Sequence, residues 1–217
     1  MKTAMKREEK TTQQDYAGFQ VAFDFFNSSL FDGALPQLLI VLHKGKKSRG
    51  HYCHEAYEHR QDKTRTSELA LYPETFSEES DERILSTLVH EMVHEKQALT
   101  GKPGRRGYHN VEWAKLMKAV GLYPSTTGEV GGKESGERVS HYIIQGGRYQ
   151  QAYQKLAAIG LQLHWQIRTA DGNGTTGGKP KPCSKVTYTC TCGLRAWAKP
   201  GVSLMCAECE ELMEETA

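Results

Sequence analysis

The sequence predicts an α+β protein in two parts, a main domain over residues 12–170 and a small C-terminal module over residues 183–217. Apolar residues recur at helical spacing in several segments of the main domain, and short apolar runs of strand length lie between them. A glycine-rich stretch over residues 171–182 then separates four closely paired cysteines from the rest of the chain. We therefore expect a small antiparallel sheet packed on helices, then a flexible linker and a cysteine module.

The main domain opens with a helix and three strands. The helix is predicted to begin at Thr12, because apolar residues from Tyr16 to Leu30 follow its period, and to end at Asp32-Gly33. The strands are predicted at residues 38–42, 50–57 and 67–72. This amphipathic helix is expected to pack against a second helix that carries the main chemical signal.

That second helix is predicted over residues 81–99 and contains His90-Glu91-Met92-Val93-His94. Residues four apart lie on one face of a helix, so the two imidazoles can bind one zinc ion. Glu91 lies between them, in position to take a proton from water that the metal activates. The motif therefore predicts a catalytic zinc site with Glu91 as the general base.

A catalytic zinc takes three protein ligands, and two residues compete for the third place. His109 opens a helix predicted to run to Gly121, directly after a glycine-rich turn where the chain can fold back. Glu112 would be the ligand in a thermolysin-like arrangement and is otherwise a carboxylate on the helix surface. We favour His109.

The rest of the main domain is predicted less sharply. Residues 124–136, rich in Ser, Thr and Gly, are expected to form a long flexible loop, followed by a helix over 148–159 and a strand-like segment over 161–167. Four side chains are candidates to stabilise the negative charge that develops during hydrolysis, and the sequence does not rank them: Tyr108, Tyr123, His141 and Tyr142.

The C-terminal module carries a second set of potential metal ligands. Cys190-Thr-Cys192 and Cys206-Ala-Glu-Cys209 form two close pairs, the arrangement of a closed structural zinc site. The single-residue spacing of the first pair is unusual, so Cys183 is an alternative to one of its members. A module of about 35 residues is too small for a sufficient core, so metal binding is expected to supply most of its folding free energy.

Basic residues near both sites predict a nucleic-acid partner, single-stranded by preference. Arg105 and Arg106 lie in the loop after the metal helix. The module is basic from residue 179 to residue 199, with Tyr188 and Trp197 as aromatic residues on which bases could stack. The expected contacts in the module are Lys179, Lys181, Lys185, Arg195, Trp197 and Lys199. Contacts with proteins, or an ordinary solvated surface, are the other interpretations.

Together these motifs resemble the SprT/Spartan family of zinc metalloproteases. The resemblance is carried by His-Glu-Met-Val-His, by residues 107–113 (Gly-Tyr-His-Asn-Val-Glu-Trp) and by residues 26–31 (Phe-Asn-Ser-Ser-Leu-Phe). It implies a zincin-like domain with a C-terminal zinc ribbon, zinc ligands His90, His94 and His109, and a catalytic Glu91. It also implies action on proteins bound or crosslinked to DNA, and thus a role in DNA–protein crosslink repair.

The sequence therefore predicts a zinc endopeptidase with two Zn²⁺ ions, one catalytic and one structural, acting on protein substrates associated with nucleic acid. The alternative is a non-enzymatic nucleic-acid-binding protein with structural zinc sites, against which the intact Glu91 argues. No apolar run approaches the length of a membrane span, and the first 15 residues contain no apolar signal region. A cytoplasmic location without membrane attachment is expected.

Overall fold

The computed structural model describes residues 10–44, 48–167 and 185–216, and the chain forms two compact units, residues 1–168 and 169–217. The predicted linker over 171–182, with Lys179 and Lys181, lies outside the described residues, and so does Cys183. Among the described helices, none combines the length and the apolar character that crossing a membrane requires. Both helices and small sheets are present, which confirms the α+β class.

The helices and strands of the two units are numbered in chain order. The first unit contains α1 (Thr11–Phe31), β1 (Leu39–Leu42), β2 (Gly50–Glu58), β3 (Arg65–Leu71), α2 (Asp81–Thr100), α3 (Val111–Val120), β4 (Leu122–Ser125), β5 (Ser140–Ile143) and α4 (Arg148–Ala158). The second contains β6 (Val186–Thr189), β7 (Arg195–Ala198) and β8 (Glu214–Thr216).

The main sheet has the strand order β1-β3-β2 and is mixed. β2 and β3 form an antiparallel hairpin, whereas β1 runs parallel to β3 on its other side. The prediction of a wholly antiparallel sheet is therefore wrong. A hairpin connection dictates the local β2–β3 pairing, but the pairing of β1 across β3 is a long-range contact that strand patterns do not specify. β2 lies at the edge of this sheet.

α2 is the central helix of the first unit. Its N-terminus is capped by Ser80, whose Oγ accepts a hydrogen bond from the Arg83 backbone N–H at 3.3 Å. Its apolar face, including Leu85, Leu88 and Met92, is fully buried and joins the core formed by α1, the sheet, α3 and α4. The metal-binding motif thus lies on the most enclosed helix of the fold.

Three segments after α2 differ from the prediction. α3 begins at Val111, two residues later than expected, because Asn110 caps it by accepting the Trp113 backbone N–H at 2.9 Å. Within the expected flexible loop, Pro124 and Ser125 belong to β4, which pairs with β5. Residues 161–167 form no strand, since no sheet edge pairs with them in the described part of the chain.

Candidate active site and cysteine site

Three histidines converge in the first unit. His90 and His94 come from α2 and His109 from the loop before α3, and one ring nitrogen of each lies within 4.8 Å of the others. The backbone of His109 is held in both directions by Gly136, through N–H···O=C bonds of 2.8 and 3.0 Å. The structure therefore brings the three predicted zinc ligands together.

Glu112, the competing ligand, lies outside this cluster. Its carboxylate accepts hydrogen bonds from the Gln97 side chain at 2.8 Å and from the Lys102 backbone N–H at 2.7 Å. These bonds lower its pKa. A Cβ at position 101 would lie 2.6 Å from its Oε2, which explains the glycine there. Glu112 thus joins the start of α3 to the end of α2 and steadies the loop that presents His109.

Aromatic side chains enclose the histidines. Trp113 is fully buried, and its ring centroid lies 4.8, 5.2 and 4.3 Å from those of His90, His94 and His109. Tyr52 of β2 also stacks on His94, with the two ring centroids 6.0 Å apart. Trp113 was named from the sequence only within the motif over residues 107–113, and Tyr52 was not identified. The four-residue spacing between His109 and Trp113 could have indicated that Trp113 lies near the histidines, whereas no local pattern indicates the position of Tyr52.

Burial keeps these imidazoles neutral. It lowers the pKa of His90 well below its ordinary value, lowers that of His94 to about 3, and lowers that of His109. A neutral imidazole has a free lone pair, which is the form that binds metal. The donor set of three neutral nitrogens therefore fits a catalytic zinc, which takes three protein ligands and keeps one position open.

Glu91 lies beside the cluster and is 4% exposed. Burial raises its pKa to about 8, and within the described residues its carboxylate accepts no hydrogen bond. Gly50 at the start of β2 leaves the space that this carboxylate occupies, because a Cβ there would lie 2.8 Å from Glu91 Oε1. A carboxyl group with such a pKa can both take up and release a proton near neutral pH.

The cluster opens into a cleft of about 1080 Å³. The walls of the cleft come from the first half of β2, from α2, and from the loops over residues 103–109 and 137–141. Arg105 and Arg106 lie exposed on its rim, and Arg105 forms an ion pair with Glu137. No described carboxylate pairs with Arg106, so the charge of Arg106 is available to a binding partner at this rim.

The four candidates for stabilising negative charge differ in position. Tyr108 is 39% exposed and lines the cleft. His141 also lines the cleft, but both of its ring nitrogens are hydrogen-bonded, to His90 and to Ser86. Tyr123 donates a hydrogen bond of 2.5 Å to Glu134, and Tyr142 stacks on Tyr123. Of the four, Tyr108 alone combines a place in the cleft with accessibility.

In the second unit, the Sγ atoms of Cys190, Cys192, Cys206 and Cys209 lie within 4.8 Å of one another. Each pair sits on a tight turn, closed by a hydrogen bond from Gly193 N–H to the Cys190 carbonyl or from Glu210 N–H to the Cys206 carbonyl. No disulfide joins the cysteines of the described residues. Four convergent sulfurs match a closed tetrahedral zinc site.

The thiols in this cluster compete for protons. A hydrogen bond from the Cys192 backbone lowers the pKa of Cys190 to about 7. A shared hydrogen bond with Cys192, followed by burial, raises that of Cys209 to about 12. A bound cation would remove this competition by favouring every thiolate at once.

Two of the predicted nucleic-acid contacts lie on one face of the hairpin in this unit. Arg195 and Trp197 alternate with inward residues along β7, and Trp197 is 67% exposed. Lys185 and Lys199 flank the hairpin and are exposed. Tyr188, which the sequence offered as a second stacking aromatic, is 2% exposed and bonds to the Lys199 carbonyl, so it is not available.

Comparison with known proteins gives one result. Residues 19–130, which span α1 through the first part of the loop after β4, match the family model described as the SprT-like family. No curated protein and no solved structure gave a significant match.

Proposed function

The chain belongs to the SprT-like family, and we propose that it is a zinc-dependent endopeptidase with a zincin-like catalytic domain. One observation carries the proposal: three neutral imidazoles and a buried carboxyl group of raised pKa meet in one open cleft. The family is associated with metalloprotease-type activity. The histidine cluster and Glu91 are the residue types that peptide hydrolysis by a zinc enzyme requires.

The proposed mechanism assigns a task to each residue. His90, His94 and His109 would hold the zinc, which when bound supplies a Lewis acid that polarises the scissile carbonyl and acidifies water. Glu91 takes a proton from water and delivers it to the leaving amine. Glu91 lines the same cleft as the three histidines, so its carboxyl group can reach water and substrate there. Tyr108, which lines the cleft and is accessible, would donate a hydrogen bond to the developing negative charge.

The protein substrate would bind along β2. This strand pairs only with β3 among the described strands, and residues 50–54 of it line the cleft. An edge strand offers unpaired backbone N–H and C=O groups that an extended peptide can meet. Such backbone recognition holds a peptide bond near Glu91 and places few demands on the substrate's side chains.

The cysteine cluster would hold a second, structural zinc. Four thiolates leave no open position for a substrate, and no carboxyl group of the described residues belongs to the cluster. A non-enzymatic protein with two structural sites is disfavoured, because such a site has no use for a buried base facing a cleft.

The substrates would be proteins associated with or crosslinked to nucleic acid. The exposed Trp197 lies on the same hairpin face as Arg195, an arrangement that can stack a base and neutralise a phosphate. Lys185 and Lys199 extend the positive charge. Such a surface favours single strands, whose bases are free to stack.

The catalytic proposal is tested with Glu91→Gln. We expect peptide cleavage to fall about 10²- to 10⁴-fold, because the base is lost while the side-chain volume is kept. Metal analysis should still find two zinc ions per chain. Glu78→Gln is the control, since Glu78 is an exposed glutamate that does not line the cleft, and this variant should keep its zinc and cleave normally. Unchanged cleavage by Glu91→Gln would exclude Glu91 as the base.

The nucleic-acid proposal is tested with Trp197→Ala in the full chain. Stacking contributes about 1–3 kcal/mol per base, so affinity for a labelled single strand should fall about 5- to 150-fold, and affinity for a duplex should fall less. Fluorescence anisotropy at several salt concentrations measures both. Leu212→Ala is the control, because Leu212 is equally exposed on the same unit. Equal losses in the two variants, or no salt-dependent binding, would contradict this assignment.

A further inference from the structure

His141 makes a buried hydrogen-bonded chain with the metal-binding helix. Its Nδ1 lies 3.1 Å from Nδ1 of His90, and its Nε2 lies 2.8 Å from Oγ of Ser86. Ser86 Oγ in turn lies 2.7 Å from the backbone carbonyl oxygen of Arg83. His141 is 2% exposed and Ser86 is fully buried, so water does not compete for these contacts.

The Arg83 carbonyl, at the end of this series of hydrogen bonds, determines which atom donates in each of them. The Arg83 carbonyl has no hydrogen, so Ser86 must donate to it, and the single hydrogen of the hydroxyl is then used. Ser86 can therefore only accept from His141, which must carry its proton on Nε2. Nδ1 of His141 is then an acceptor, and His90 must donate to it from its own Nδ1–H.

This direction leaves Nε2 of His90 without a proton. In the reverse direction Ser86 would donate to His141, the Arg83 carbonyl would lose its hydrogen bond from the hydroxyl, and His90 would carry a proton on Nε2. Only the first direction satisfies all three contacts. It also leaves the lone pair of His90 Nε2 free for a metal ion.

We propose that His141 is a positioning residue that holds His90 in the tautomer and orientation that bind zinc. This inference rests on the proposed function in one respect, that the histidine cluster binds a metal. His141 takes the place that a carboxylate or a backbone carbonyl often fills behind a zinc-bound histidine. It comes from β5, so it ties the metal-binding helix to the second, two-stranded sheet of the first unit.

Zinc affinity of the full chain, measured by competition with a chromophoric chelator, tests the proposal. His141→Leu keeps the volume but removes the acceptor, and affinity at the histidine site should fall about 10- to 100-fold. His141→Asp restores an acceptor and should recover most of that loss. Ser86→Ala should weaken binding, because His141 then loses the partner that fixes its tautomer. Thr87→Val is the control, since the Thr87 hydroxyl is near the Arg83 carbonyl but not bonded to His141.

A second measurement does not depend on how the variants fold. Long-range ¹H–¹⁵N correlation spectra of the metal-free wild-type chain at neutral pH should show His90 protonated on Nδ1 and His141 on Nε2. A proton on His90 Nε2, or a His141→Leu variant that folds and binds zinc as tightly as wild type, would overturn the proposal. Absence of zinc from the wild-type histidine site would overturn the proposed function as well, so the two failures are distinguishable.

Discussion

The histidine cluster and the cysteine cluster differ in what holds their candidate metal ligands together. Two of the three histidines, His90 and His94, extend from a helix whose apolar face is fully buried, and Trp113 and Tyr52 pack against the ring of His94. In the described part of the second unit the buried residues are Tyr188 and two of the cysteines themselves, Cys190 and Cys206. In the first unit the surrounding core fixes the positions of the candidate ligands. In the second unit a bound metal would instead stabilise the fold.

The comparison also separates chemistry from stability. The histidine cluster has three donors, a neighbouring carboxyl group and an open cleft, so a zinc ion bound there would keep one coordination position available for reaction. The cysteine cluster has four donors and, among the described residues, no such neighbour.

The largest expected effect is loss of the C-terminal fold. Cys206→Ser removes one of four thiolates, and a unit with so little buried surface should lose its three-stranded sheet, since structural zinc contributes on the order of 10 kcal/mol or more to such folds. Amide NMR dispersion for residues 185–216 measures this, while the histidine site should keep its zinc. Cys53→Ser, in β2 and outside the cluster, should leave both sites intact. A second unit that folds without metal would show that a metal ion is not what stabilises it.

A smaller effect is expected from Gly50→Ala. The added methyl group would lie 2.8 Å from Glu91 Oε1 and 2.9 Å from the Ala70 carbonyl oxygen. Backbone cannot move away as a flexible side chain can, so we expect a loss of about 1–3 kcal/mol in the free energy of unfolding, with slower peptide cleavage.

Denaturant unfolding and a cleavage assay measure the two effects of Gly50→Ala. Gly104→Ala is the matched control in the same cleft, because its Cβ would meet only ordinary contacts of 3.4 Å or more. Equal behaviour of the two variants would show that the space beside Glu91 is not needed.

The smallest effect, counted for one histidine over one pH unit, is a dependence of stability on pH in the metal-free protein. Burial lowers the pKa of four histidines in the first unit: His90, His94, His109 and His141. Below the ordinary histidine pKa of 6.5, the unfolded chain therefore takes up protons that the folded protein does not. Stability should fall as pH falls from 6.5 towards 3, by at most about 1.4 kcal/mol per pH unit for each proton.

Glu91 changes the stability with pH in the opposite direction, so a variant at this position serves as the control. Its pKa is raised from 4.5 to about 8, so the folded protein holds a proton that the unfolded chain releases between those values. Glu91→Gln removes that term and should make the acid-induced loss of stability steeper. Thermal unfolding between pH 4 and 8 measures both proteins. A wild-type stability that stays constant from pH 6.5 to 4 would contradict the burial of these neutral imidazoles.

Features that depend on local sequence patterns were predicted better than features that depend on contacts between distant segments. The helices over Thr11–Phe31 and Asp81–Thr100 follow the periodicity of their apolar residues, and the spacing of His90 and His94 places them on one face. The family assignment to SprT-like proteins is confirmed by the match over residues 19–130. In each case the information lies within one element or one contiguous motif.

The features that sequence reasoning missed depend on contacts between distant segments. The parallel pairing of β1 with β3 and the stacking of Tyr52 on His94 join segments with no shared local pattern. His141 was identified only as one of four possible hydrogen-bond donors in the cleft, because its contact with His90 crosses 51 residues. Such a partnership is specified by packing, which periodicity does not report.

The backbone bridge between His109 and Gly136 has a consequence for time scales. Both hydrogen bonds of this bridge join the third histidine to the loop between β4 and β5. In a metal-loaded chain, moving the backbone of His109 away from the ion would break these two bonds or carry the loop along with it. The rate at which the ion is released would then depend on how often this glycine-rich loop opens.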